Sequence, residues 1–421
     1  MSTILRAPEA ARRDGCSSVT RGRVLVVANR LPYPLDDGWK RRTFHVLRAI
    51  AAVRPVTLAT LHAGGAQEVA ALRDAIGNGL DVVTVTTSRW TMPRALALGI
   101  VTRLPYHVWK LRSKLLAREI ERLAATQRFD IAIATMAHLF PYIQGLQPAT
   151  LRVIDTHNID SLVMTRYAGR MSGLLRRAYA RATAARLRTH EAEVFAAADR
   201  VWVCSQEEVH AVAERASGAR VRVIPNGVDA QGEFEPRAVT VQPRRILFFG
   251  RLDYYPNADG VAYFAETMLP RILERVPDAE FCVVGPGATR SLRTLLARTS
   301  CRLLGAVDEL AETVSSAAVV VVPLRVGGGT RLKILEALAL GKAVVSTPVG
   351  AEGLALRSGQ HLSLAAAPDE FARAVVELLE DPGEATRLGA EGRDNVLRTY
   401  DWKLIEEQIR SELNLTVRPT P

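Results

Sequence analysis

The chain has 421 residues, of which 48% are hydrophobic and 24% are charged. This composition is typical of a globular protein with sizeable cores, and the length predicts two or three domains. No apolar run reaches the ~18 residues of a membrane-spanning helix, and we expect no secretory signal because the N-terminal segment lacks a continuous apolar stretch. The four cysteines form no CxxC pair, and three of them are interpreted as small core residues in a reducing cytoplasm, namely Cys204, Cys282 and Cys301.

The net charge of +11 is compatible with nucleic acid, an anionic membrane or an anionic small substrate as a partner. Basic residues cluster at 103–122 and 166–190. No arginine–aromatic stacking pattern accompanies them, so we expect no specific nucleic-acid partner. Two interpretations of these segments stay open. They form helices that lie against anionic lipid, or they present a solvated arginine-rich face.

Short apolar runs alternate with segments of helical length, which predicts a parallel α/β architecture. Residues 1–20 are expected to form a flexible tail. The polar stretch 230–245 is interpreted as a linker because it contains no strand-like run. The strands predicted before this linker lie at 23–28, 55–60, 81–85, 130–135, 151–156 and 200–205, with one more from 221 to a Pro-Asn-Gly turn at 225–227.

The alternation then restarts. The predicted strands lie at 245–250, 280–285, 301–305, 318–323 and 343–347, and predicted helices include 257–276, 289–299 and 369–380. The two series predict two doubly wound, Rossmann-like domains, 21–228 and 229–395, that face each other across a cleft lined by the carboxyl ends of strands. Residues 396–421 are expected to form a helix and a tail, and the apolar stripe of that helix can pack back on either domain, including the N-terminal one.

A run of three glycines, 327–329, follows a predicted strand and precedes a predicted helix. Glycine lets the backbone approach a ligand closely, and the free amides at a helix N-terminus bind anions. Thr330 is the expected N-cap, with Arg331 and Lys333 in the first turn. Cations there are unfavourable by about 0.3–1 kcal/mol each, unless a bound anion reverses the effect. The loop therefore predicts a phosphate site, although both cations can instead point to solvent.

Glu336 stands among apolar residues of the same helix. A carboxylate in such surroundings is costly unless a partner hydrogen-bonds it. A ribose diol suits this role, since both hydroxyls can donate to one carboxylate. The alternative is a pair with Lys333 or Arg331. Loop and carboxylate together predict a nucleoside diphosphate, with its phosphates on the amides and cations and its ribose on Glu336.

At these residues the sequence resembles the retaining glycosyltransferases of family 4, which have the GT-B fold. The resemblance covers residues 23–402 and is strongest over 221–354. The motifs that carry it are VIPNGVD (223–229), FFGRLDYYPN (248–257), FCVVGPG (281–287), LLGAVDEL (303–310) and PLRVGGGTRLKILEALALGKAVVSTPVGAEGL (323–354). PYPLDDGWKRRTFHVLRAI (32–50) and VIDTHN (153–158) are similar to a branch associated with exopolysaccharide synthesis.

The resemblance implies a nucleotide-sugar donor in the C-terminal domain and a glycan or lipid-linked acceptor in the N-terminal domain. It matches Arg251 to the donor phosphates, Glu336 to the ribose, His157 to the reacting sugar and Gly38 to the loop beside the diphosphate. With the analysis of the glycine loop, the predicted donor-binding residues are Gly38, Arg251, Gly285, Val307, Gly327, Gly328, Gly329, Thr330, Arg331, Lys333 and Glu336. The predicted catalytic residues are His157, Arg251 and Lys333.

The predicted acceptor-binding residues are Lys40, Arg41 and His157. Lys40, Arg41 and Arg42 repeat the pattern of cations at a helix start, and one of them is expected to contact a phosphate. The alternative is that these cations pair with the preceding residues Asp36 and Asp37. For His157 the alternatives are a general base and a histidine whose hydrogen bonds are satisfied by Asp155 or by local backbone.

Two positions depart from the family pattern. Gly328 stands where the family has the first glutamate of its E-x7-E motif, and Asn257 stands where it has a lysine six residues after Arg251. We interpret the chain as a branch variant in which Arg331 and Lys333 supply the missing cation. In this interpretation, the amides of the glycine loop contact the sugar hydroxyls. The alternative is a catalytically weakened, nucleotide-binding GT-B scaffold.

The predicted function is therefore a retaining hexosyltransferase of polysaccharide or glycolipid biosynthesis. Amides, a helix dipole and cations can stabilise a leaving diphosphate without a metal, and no DxD-like acidic pair stands at a strand end of the C-terminal domain. We expect no essential metal and no cofactor besides the donor substrate. A sugar-nucleotide epimerase is disfavoured because no acid/base pair stands out. The expected location is the cytoplasm, with peripheral contact at the inner membrane face.

Overall fold

The computed structural model of the chain describes residues 4–6, 22–61, 64–77, 79–86, 91–170, 173–299 and 301–415. The chain divides into two compact units. Unit 1 contains the described residues up to Pro225 and those from Glu406 onward, and unit 2 contains Asn226–Ile405. Each unit is an α/β domain built on a parallel sheet, as the alternating pattern predicts.

In the described part of unit 1, eight strands form one sheet: β1 (Ile4–Arg6), β2 (Arg23–Ala28), β3 (Val56–Leu61), β4 (Leu80–Val85), β5 (Phe129–Ala134), β6 (Leu151–Asp155), β7 (Arg200–Val203) and β8 (Val221–Val223). Their spatial order is β1-β4-β3-β2-β5-β6-β7-β8, and only β1 runs antiparallel to its neighbour in this described sheet. Val24–Ala28 of β2 are fully buried, which explains why the central strands have continuous apolar sequences.

The helices described in unit 1 are α1 (Gly38–Ala51), α2 (Ala66–Ile76), α3 (Thr91–Val101), α4 (Tyr106–Trp109), α5 (Lys114–Thr126), α6 (Pro141–Gln144), α7 (Asp160–Arg170), α8 (Leu174–Ala197) and α9 (Gln206–Ala213), with a 3-10 turn at Ala137–Leu139. Several begin at a side-chain cap. Asp37, Ser113 and Ser205 each accept a hydrogen bond from the backbone amide three residues later, which fixes the starts of α1, α5 and α9.

In the described part of unit 2, six parallel strands form the sheet: β9 (Gln242–Phe249), β10 (Glu280–Val284), β11 (Cys301–Gly305), β12 (Ala317–Val322), β13 (Ala343–Ser346) and β14 (Ser363–Leu364). Their spatial order is β11-β10-β9-β12-β13-β14. The helices are α10 (Tyr255–Tyr263), α11 (Leu269–Arg275), α12 (Arg290–Ala297), α13 (Leu310–Ser315), α14 (Leu332–Ala339), α15 (Pro348–Ala351), α16 (Pro368–Glu380) and α17 (Pro382–Thr399).

The last described helix, α18 (Trp402–Leu415), begins in unit 2 and continues in unit 1. In unit 2, the amide of Trp402 donates to the carbonyl of Val228. In unit 1, a carboxylate oxygen of Glu406 lies 2.7 Å from Nδ1 of His45 and accepts a 2.7 Å hydrogen bond from Nε of Arg48. Both partners belong to α1, so α18 is a structural part of each unit.

Most predicted strands end within a few residues of the observed ones, but three predictions are wrong. Residues 4–6 of the predicted flexible tail form β1, which pairs with β4. The predicted linker 230–245 is part of unit 2, because Phe234 is 1% exposed within its core and β9 begins at Gln242. The predicted helix 257–276 is interrupted by a π-helical turn at Phe264–Met268, directly before Pro270.

The observed boundaries also differ from 228/229 and 395/396. Residues 226–228 belong to unit 2, since the amide of Val228 donates to the carbonyl of Tyr400. Residues 396–399 still belong to α17. None of the helices in the described part of the chain is both long and apolar enough to cross a membrane.

Candidate functional site

The strand order of unit 2 creates a point where the winding reverses. β9 lies between β10 and β12, so the loops that follow β9 and β12 leave adjacent strands in opposite directions. In open α/β sheets, ligands bind at such a switch point, outside the carboxyl ends of the strands. The glycine loop follows β12, and Arg251 follows β9. The fold thus brings together the two segments on which the donor prediction depends.

The glycine loop has the backbone conformations that its sequence requires. Gly327 and Gly329 have φ values of 148° and 68°, which disfavour any residue with a side chain. The helix α14 begins at Leu332, and Arg331 is its N-cap residue without a side-chain cap hydrogen bond. The prediction that Thr330 caps this helix is therefore wrong, because the glycine conformations continue the loop past it. Arg331 likewise lies before the first turn, which contains only Lys333 of the two cations.

Arg331 folds back over its own loop. Its side chain packs so closely on Gly327 that a Cβ there would lie 2.8 Å from Nη2. The guanidinium donates to the carbonyl of Gly329 and, at 3.4 Å, to that of Val349. Only 7% of Arg331 is exposed, so the alternative in which it points to solvent is wrong. These contacts hold the shape of the loop.

Lys333 reaches from α14 to the loop after β9. Its Nζ donates to Oδ1 of Asn257 at 2.7 Å and lies 4.1 Å from the centre of the Phe248 ring. Burial lowers the pKa of Lys333 to about 7, although the carboxylate of Glu336 favours the charged form. Glu336 is half-buried on the same helix, and its role as a ribose ligand stays a prediction.

Arg251 lies at the other side of the switch point. About half of its side chain is exposed, and it forms a two-bond ion pair with Asp253, with distances of 3.1 and 2.6 Å. Its carbonyl accepts a hydrogen bond of 2.7 Å from Nδ2 of Asn257. Asn257 therefore connects the Arg251 backbone to the Lys333 ammonium.

A pocket of about 390 Å³ opens at the carboxyl ends of β10 and β11. It is lined by Gly285–Ala288, Arg293 and Leu303–Ala306, and Val307 follows directly in the chain. Its volume is within the range of small-ligand sites. Gly285 has a φ of 141°, and a Cβ there would lie 2.0 Å from the carbonyl oxygen of Gly250. A glycine is thus required for the ends of β9 and β10 to approach each other.

The carboxyl end of β6 in unit 1 holds His157. Its Nε2 lies 3.5 Å from Oδ2 of Asp155, and its ring stacks on Trp39 with a centroid distance of 5.8 Å. Trp39 in turn lies 5.1 Å from the guanidinium of Arg30. Burial lowers the pKa of His157, whereas Asp155 favours its charged form. The predicted Gly38 is the first residue of α1, adjacent to Trp39 in the chain.

Arg42 is buried below this histidine. Its Nε and Nη2 donate to Asp155 at 3.1 and 2.5 Å, and its Nη1 donates to the carbonyls of Ile224 and Pro225. Burial opposes ionisation of Asp155, but Arg42 and His157 outweigh it and lower the pKa of this carboxyl to about 2. Arg42 was a candidate phosphate ligand, and this prediction is wrong because only 1% of the residue is exposed.

The other two cations of α1 differ from Arg42. Nζ of Lys40 lies 2.8 Å from the carboxylate of Asp36, which confirms the alternative that this cation pairs locally. Asp37 caps α1 and lies 2.8 Å from Nη2 of Arg30. Arg41 is half-buried. Because Lys40 already pairs with Asp36, it is a weaker candidate for binding the acceptor. The role of Arg41 in acceptor binding stays a prediction.

Sequence reasoning missed a group of imidazoles near the carboxyl end of β5. His138 Nε2 lies 3.0 Å from Oδ2 of Asp160, and its ring stacks on His190 at a centroid distance of 5.5 Å. Burial and the neighbouring His138 lower the pKa values of His107 and His190 to about 4. These three histidines come from three separate segments, so no local spacing signals the group. Across the described ranges, no three His, Cys, Asp or Glu side chains are placed to hold a metal ion.

Two protein families match the chain. The family "Glycosyl transferases group 1" matches residues 243–381, in unit 2, and the family "Glycosyltransferase Family 4" matches residues 67–231. The phosphatidyl-myo-inositol mannosyltransferase of Mycobacterium tuberculosis is 33% identical over 207 residues, which are 46% of this chain and 54% of that protein. A glycogen synthase of the same species is 29% identical over 199 residues, or 44% of this chain and 46% of that protein.

The chain thus spans about half the length of the curated relatives that it matches. Two solved structures share the fold along nearly the whole chain. Sucrose-phosphate synthase from Thermosynechococcus elongatus has a TM-score of 0.68 at 19% identity, covering 94% of this chain and 99% of that one. HepE from Anabaena, in complex with UDP and glucose, has a TM-score of 0.65 at 14% identity, covering 94% and 100%.

The fold is therefore the GT-B fold, with two doubly wound domains. Both units match glycosyltransferase families over long segments, so the class to which the comparisons assign the chain is that of GT-B glycosyltransferases.

Proposed function

We propose that the chain is a hexosyltransferase that moves a sugar from a nucleoside-diphosphate sugar to a glycan or lipid-linked acceptor in polysaccharide or glycolipid biosynthesis. The observation that carries this proposal is the arrangement at the switch point of unit 2. There, a glycine loop and the half-buried Lys333 follow β12, and a small-ligand pocket lies at the ends of β10 and β11 in the same sheet. The two matched families and the relatives support the reaction class.

The donor fits this arrangement in one orientation, with its base at the pocket and its diphosphate at the glycine loop. The base enters the pocket beside Gly285, and Glu336 accepts from the ribose hydroxyls. The diphosphate lies on the amides of residues 327–329, near Lys333 and Arg251. Glycosyl transfer leaves negative charge on the departing diphosphate, and amides and cations in place stabilise that charge as it develops. Arg331 contributes indirectly by holding the loop, according to its contacts.

Three finer features belong to this proposal. Cations and amides take the place of a metal, so activity should persist in a chelator. The anomeric configuration is retained, in keeping with the resemblance to family 4. The branch is that of exopolysaccharide synthesis. Chelator resistance and the anomeric proton coupling of the product in NMR spectra test the first two directly.

The nature of the donor is narrowed by the relatives. One relative from Corynebacterium glutamicum is named as a GDP-mannose-dependent mannosyltransferase and is 27% identical over 157 residues. HepE has been solved with UDP-glucose, and a trehalose-6-phosphate protein of E. coli with UDP-2-fluoro glucose. We therefore propose a hexose on GDP or UDP as the donor class.

The acceptor is assigned to unit 1. His157 and Trp39 lie at the carboxyl end of β6 and the start of α1, and the stacked rings form a surface that suits a sugar. Nε2 of His157 lies 3.5 Å from Asp155, and the imidazole can exchange one hydrogen bond with a hydroxyl of the acceptor. Arg41 remains a candidate for an anionic group of the acceptor.

Unit 1 also carries a surface that fits an anionic membrane. The side chain of Arg186 donates to the carbonyl of Gly99, so α3 and α8 are neighbours. Large apolar residues on these helices are 45–87% exposed, namely Met92, Leu96, Val101, Leu174, Leu175 and Tyr179. Exposed arginines accompany them: Arg94, Arg103, Arg176 and Arg181. Apolar side chains among cations are typical of peripheral membrane binding, and we place the enzyme at the cytoplasmic membrane face.

Vesicle sedimentation tests this placement. The chain should bind vesicles that contain phosphatidylglycerol and not those of phosphatidylcholine alone. The double variant Leu174→Ser/Leu175→Ser should bind about tenfold less, since two exposed leucines lose their contribution from apolar burial. Val241→Ser, at a residue of unit 2 that is 46% exposed, is the matched control and should change nothing. Equal binding by both variants would remove this surface from the proposal.

The central experiment is a thermal-shift series with UDP, GDP, ADP, CMP and dTDP. A ligand at 100 times its Kd should stabilise the protein by about 2.7 kcal/mol. Lys333→Met and Glu336→Gln should lose the shift, whereas Lys342→Met, which removes another half-buried lysine of unit 2, should keep it. The diphosphate that binds then selects the nucleotide sugars for a transfer assay. Binding without transfer or hydrolysis would favour the weakened scaffold over the enzyme.

A further inference from the structure

We propose that Asn257 is a positioning residue that holds the Lys333 ammonium at the switch point of unit 2, and that Lys333 takes up a proton when the donor diphosphate binds. The inference rests on the donor site proposed above and adds a change of charge to it. It also gives a role to a residue that departs from the family pattern.

The two residues connect the loops on either side of the switch point. Asn257 lies in the first turn of α10, after β9, and Lys333 lies in the first turn of α14, after β12. The Asn257 side chain uses both of its polar atoms. Oδ1 accepts from Nζ of Lys333, and Nδ2 donates to the carbonyl of Arg251, each at 2.7 Å. Asn257 is 6% exposed, so this bridge is protected from water.

The ammonium is only partly satisfied by the protein. It has three N–H donors, and among the described residues Asn257 is the one hydrogen-bond acceptor that it contacts. The face of Phe248 stabilises the charge, with the ring centre 4.1 Å away. Gly250 borders the group closely, because a Cβ there would lie 2.8 Å from Nζ. Two N–H donors are therefore available at the place where a diphosphate is proposed to bind.

Burial, more than the neighbouring charges, sets the pKa of Lys333 near neutral pH. Burial lowers its pKa to about 7, Glu336 favours the ammonium, and Arg331 opposes it. The other charged groups around the switch point are already paired with each other, Arg251 with Asp253 and Arg325 with Asp259. Neither pair supplies Lys333 with a carboxylate of its own.

A bound diphosphate changes this balance. An anion beside Lys333 favours the ammonium and raises its pKa. At a pH above 7 the free protein holds this group mostly neutral, so binding must draw a proton from solution. Affinity is highest below pH 7, where the ammonium exists already, and it falls as the pH rises from 7 towards the pKa of the complex.

A neutral amide at position 257 is essential to this behaviour. An aspartate would give Lys333 a permanent counter-charge, which would keep the lysine protonated without a ligand and cancel its attraction for phosphate. The substitution Asn257→Asp preserves the shape of the side chain, so it separates the electrostatic role from packing.

The test is isothermal titration calorimetry of the full chain with GDP-mannose, UDP-glucose, ADP-glucose and dTDP-glucose. Their phosphates do not titrate near neutral pH, so any proton taken up on binding goes from the buffer to a group of the protein. Titrations at pH 7.5 in Tris and in HEPES differ in heat by the number of protons taken up multiplied by the difference between the ionisation enthalpies of the two buffers. We expect roughly 0.7 proton per donor for the wild type, if the complex has a pKa near 9. With the same two pKa values, we also expect about twentyfold weaker binding at pH 8.5 than at 6.5.

Four variants make the result specific. Lys333→Arg has a permanent charge and should bind without proton uptake and without this pH dependence. Asn257→Asp and Lys333→Met should both lose the uptake and bind at least about tenfold more weakly. Lys342→Met is the matched control, since this lysine donates to the carbonyl of Ser315 away from the switch point, and it should behave as the wild type.

The outcomes are distinguishable. Donor binding with no proton uptake by the wild type would overturn this inference and leave the donor site intact. Uptake that persists in Lys333→Arg would assign the proton to another group and also overturn it. If none of the nucleotide sugars or diphosphates binds, the proposed function and this inference fail together.

Discussion

Arg42 and Asp155 form a buried ion pair, with side chains that are 1% and 0% exposed. The guanidinium uses its remaining donors on the carbonyls of Ile224 and Pro225, which end β8 and lead out of unit 1. The pair thus fixes His157 on one side and the last strand of the sheet on the other. Such a network is costly to break, since either partner alone is a buried, uncompensated charge.

We expect Arg42→Met to lower the free energy of unfolding by about 3–5 kcal/mol, because it leaves Asp155 buried without its counter-charge. Urea unfolding at pH 7 measures this loss. Lys40→Met is the matched control on the same helix, and it removes a partly exposed pair that contributes about 0–1 kcal/mol. Similar losses in both variants would contradict the distinction between the two cations.

Gly285 lines the pocket at the ends of β10 and β11, and only a residue without a Cβ fits there. Gly285→Ala should destabilise unit 2 by more than about 2 kcal/mol and abolish nucleotide binding, since the new Cβ would lie 2.0 Å from the carbonyl of Gly250. Gly359→Ala is the control. It also has a positive φ, of 76°, but nothing lies within 4 Å of its Cβ position, so it should cost only about 1 kcal/mol. Thermal unfolding with and without nucleotide compares them.

The strands and helices show how far the local sequence determines secondary structure. The long apolar runs predict strands because five or six consecutive buried residues have few alternatives. β14 has two residues and β1 has three, so neither produces a pattern. The start of α14 was misplaced for a different reason. Thr330 is a good cap by residue type, but the positive φ of Gly329 carries the backbone away from a helical start.

β1 gives a testable consequence at this scale. It pairs antiparallel with β4 over three residues and so covers the edge that β4 would otherwise expose. A variant that begins at Gly22 should unfold at a slightly lower temperature and self-associate more at high concentration. Light scattering on a sizing column detects this association. A truncated chain that stays monomeric at every concentration would show that β4 does not need this cover.

Some site residues could be predicted from the sequence, but their contacts could not. The glycine loop and Lys333 stand out by residue type after a predicted strand, and Arg251 stands out by the resemblance to family 4. The bridge from Lys333 to Asn257 joins residues 76 positions apart, and the Arg42–Asp155 pair joins residues 113 apart. No periodic pattern encodes such distances. Arg42 looked like a surface cation for this reason, although it is buried.

At the scale of the whole molecule, buried titratable groups are unevenly distributed. Unit 1 holds His107 and His190, which burial keeps neutral. It also holds Glu208, whose pKa burial raises to about 7 although it accepts from the amide of Cys204. These groups act in opposite directions on acidification. The histidines destabilise the native state as the pH falls below 6.5, and Glu208 stabilises it.

The double variant His107→Phe/His190→Phe isolates the histidine contribution. In the unfolded chain both histidines bind protons below pH 6.5, whereas in the native state they do so only near pH 4. The wild type should therefore lose on the order of 2–3 kcal/mol more stability than the variant between pH 7.5 and 5.5. Urea unfolding at several pH values gives both curves. Parallel curves would show that these imidazoles are not shielded from protons.

The course of α18 has a consequence for how the protein is made. Unit 1 needs residues from Glu406 onward, since the carboxylate of Glu406 lies against His45 and Arg48 of α1. On the ribosome, these residues emerge only after the whole of unit 2 has been synthesised. The sheet of unit 1 is thus translated first but receives its last helix at the end. Residues 226–405 of unit 2 are thus translated between the two segments that unit 1 must bring together.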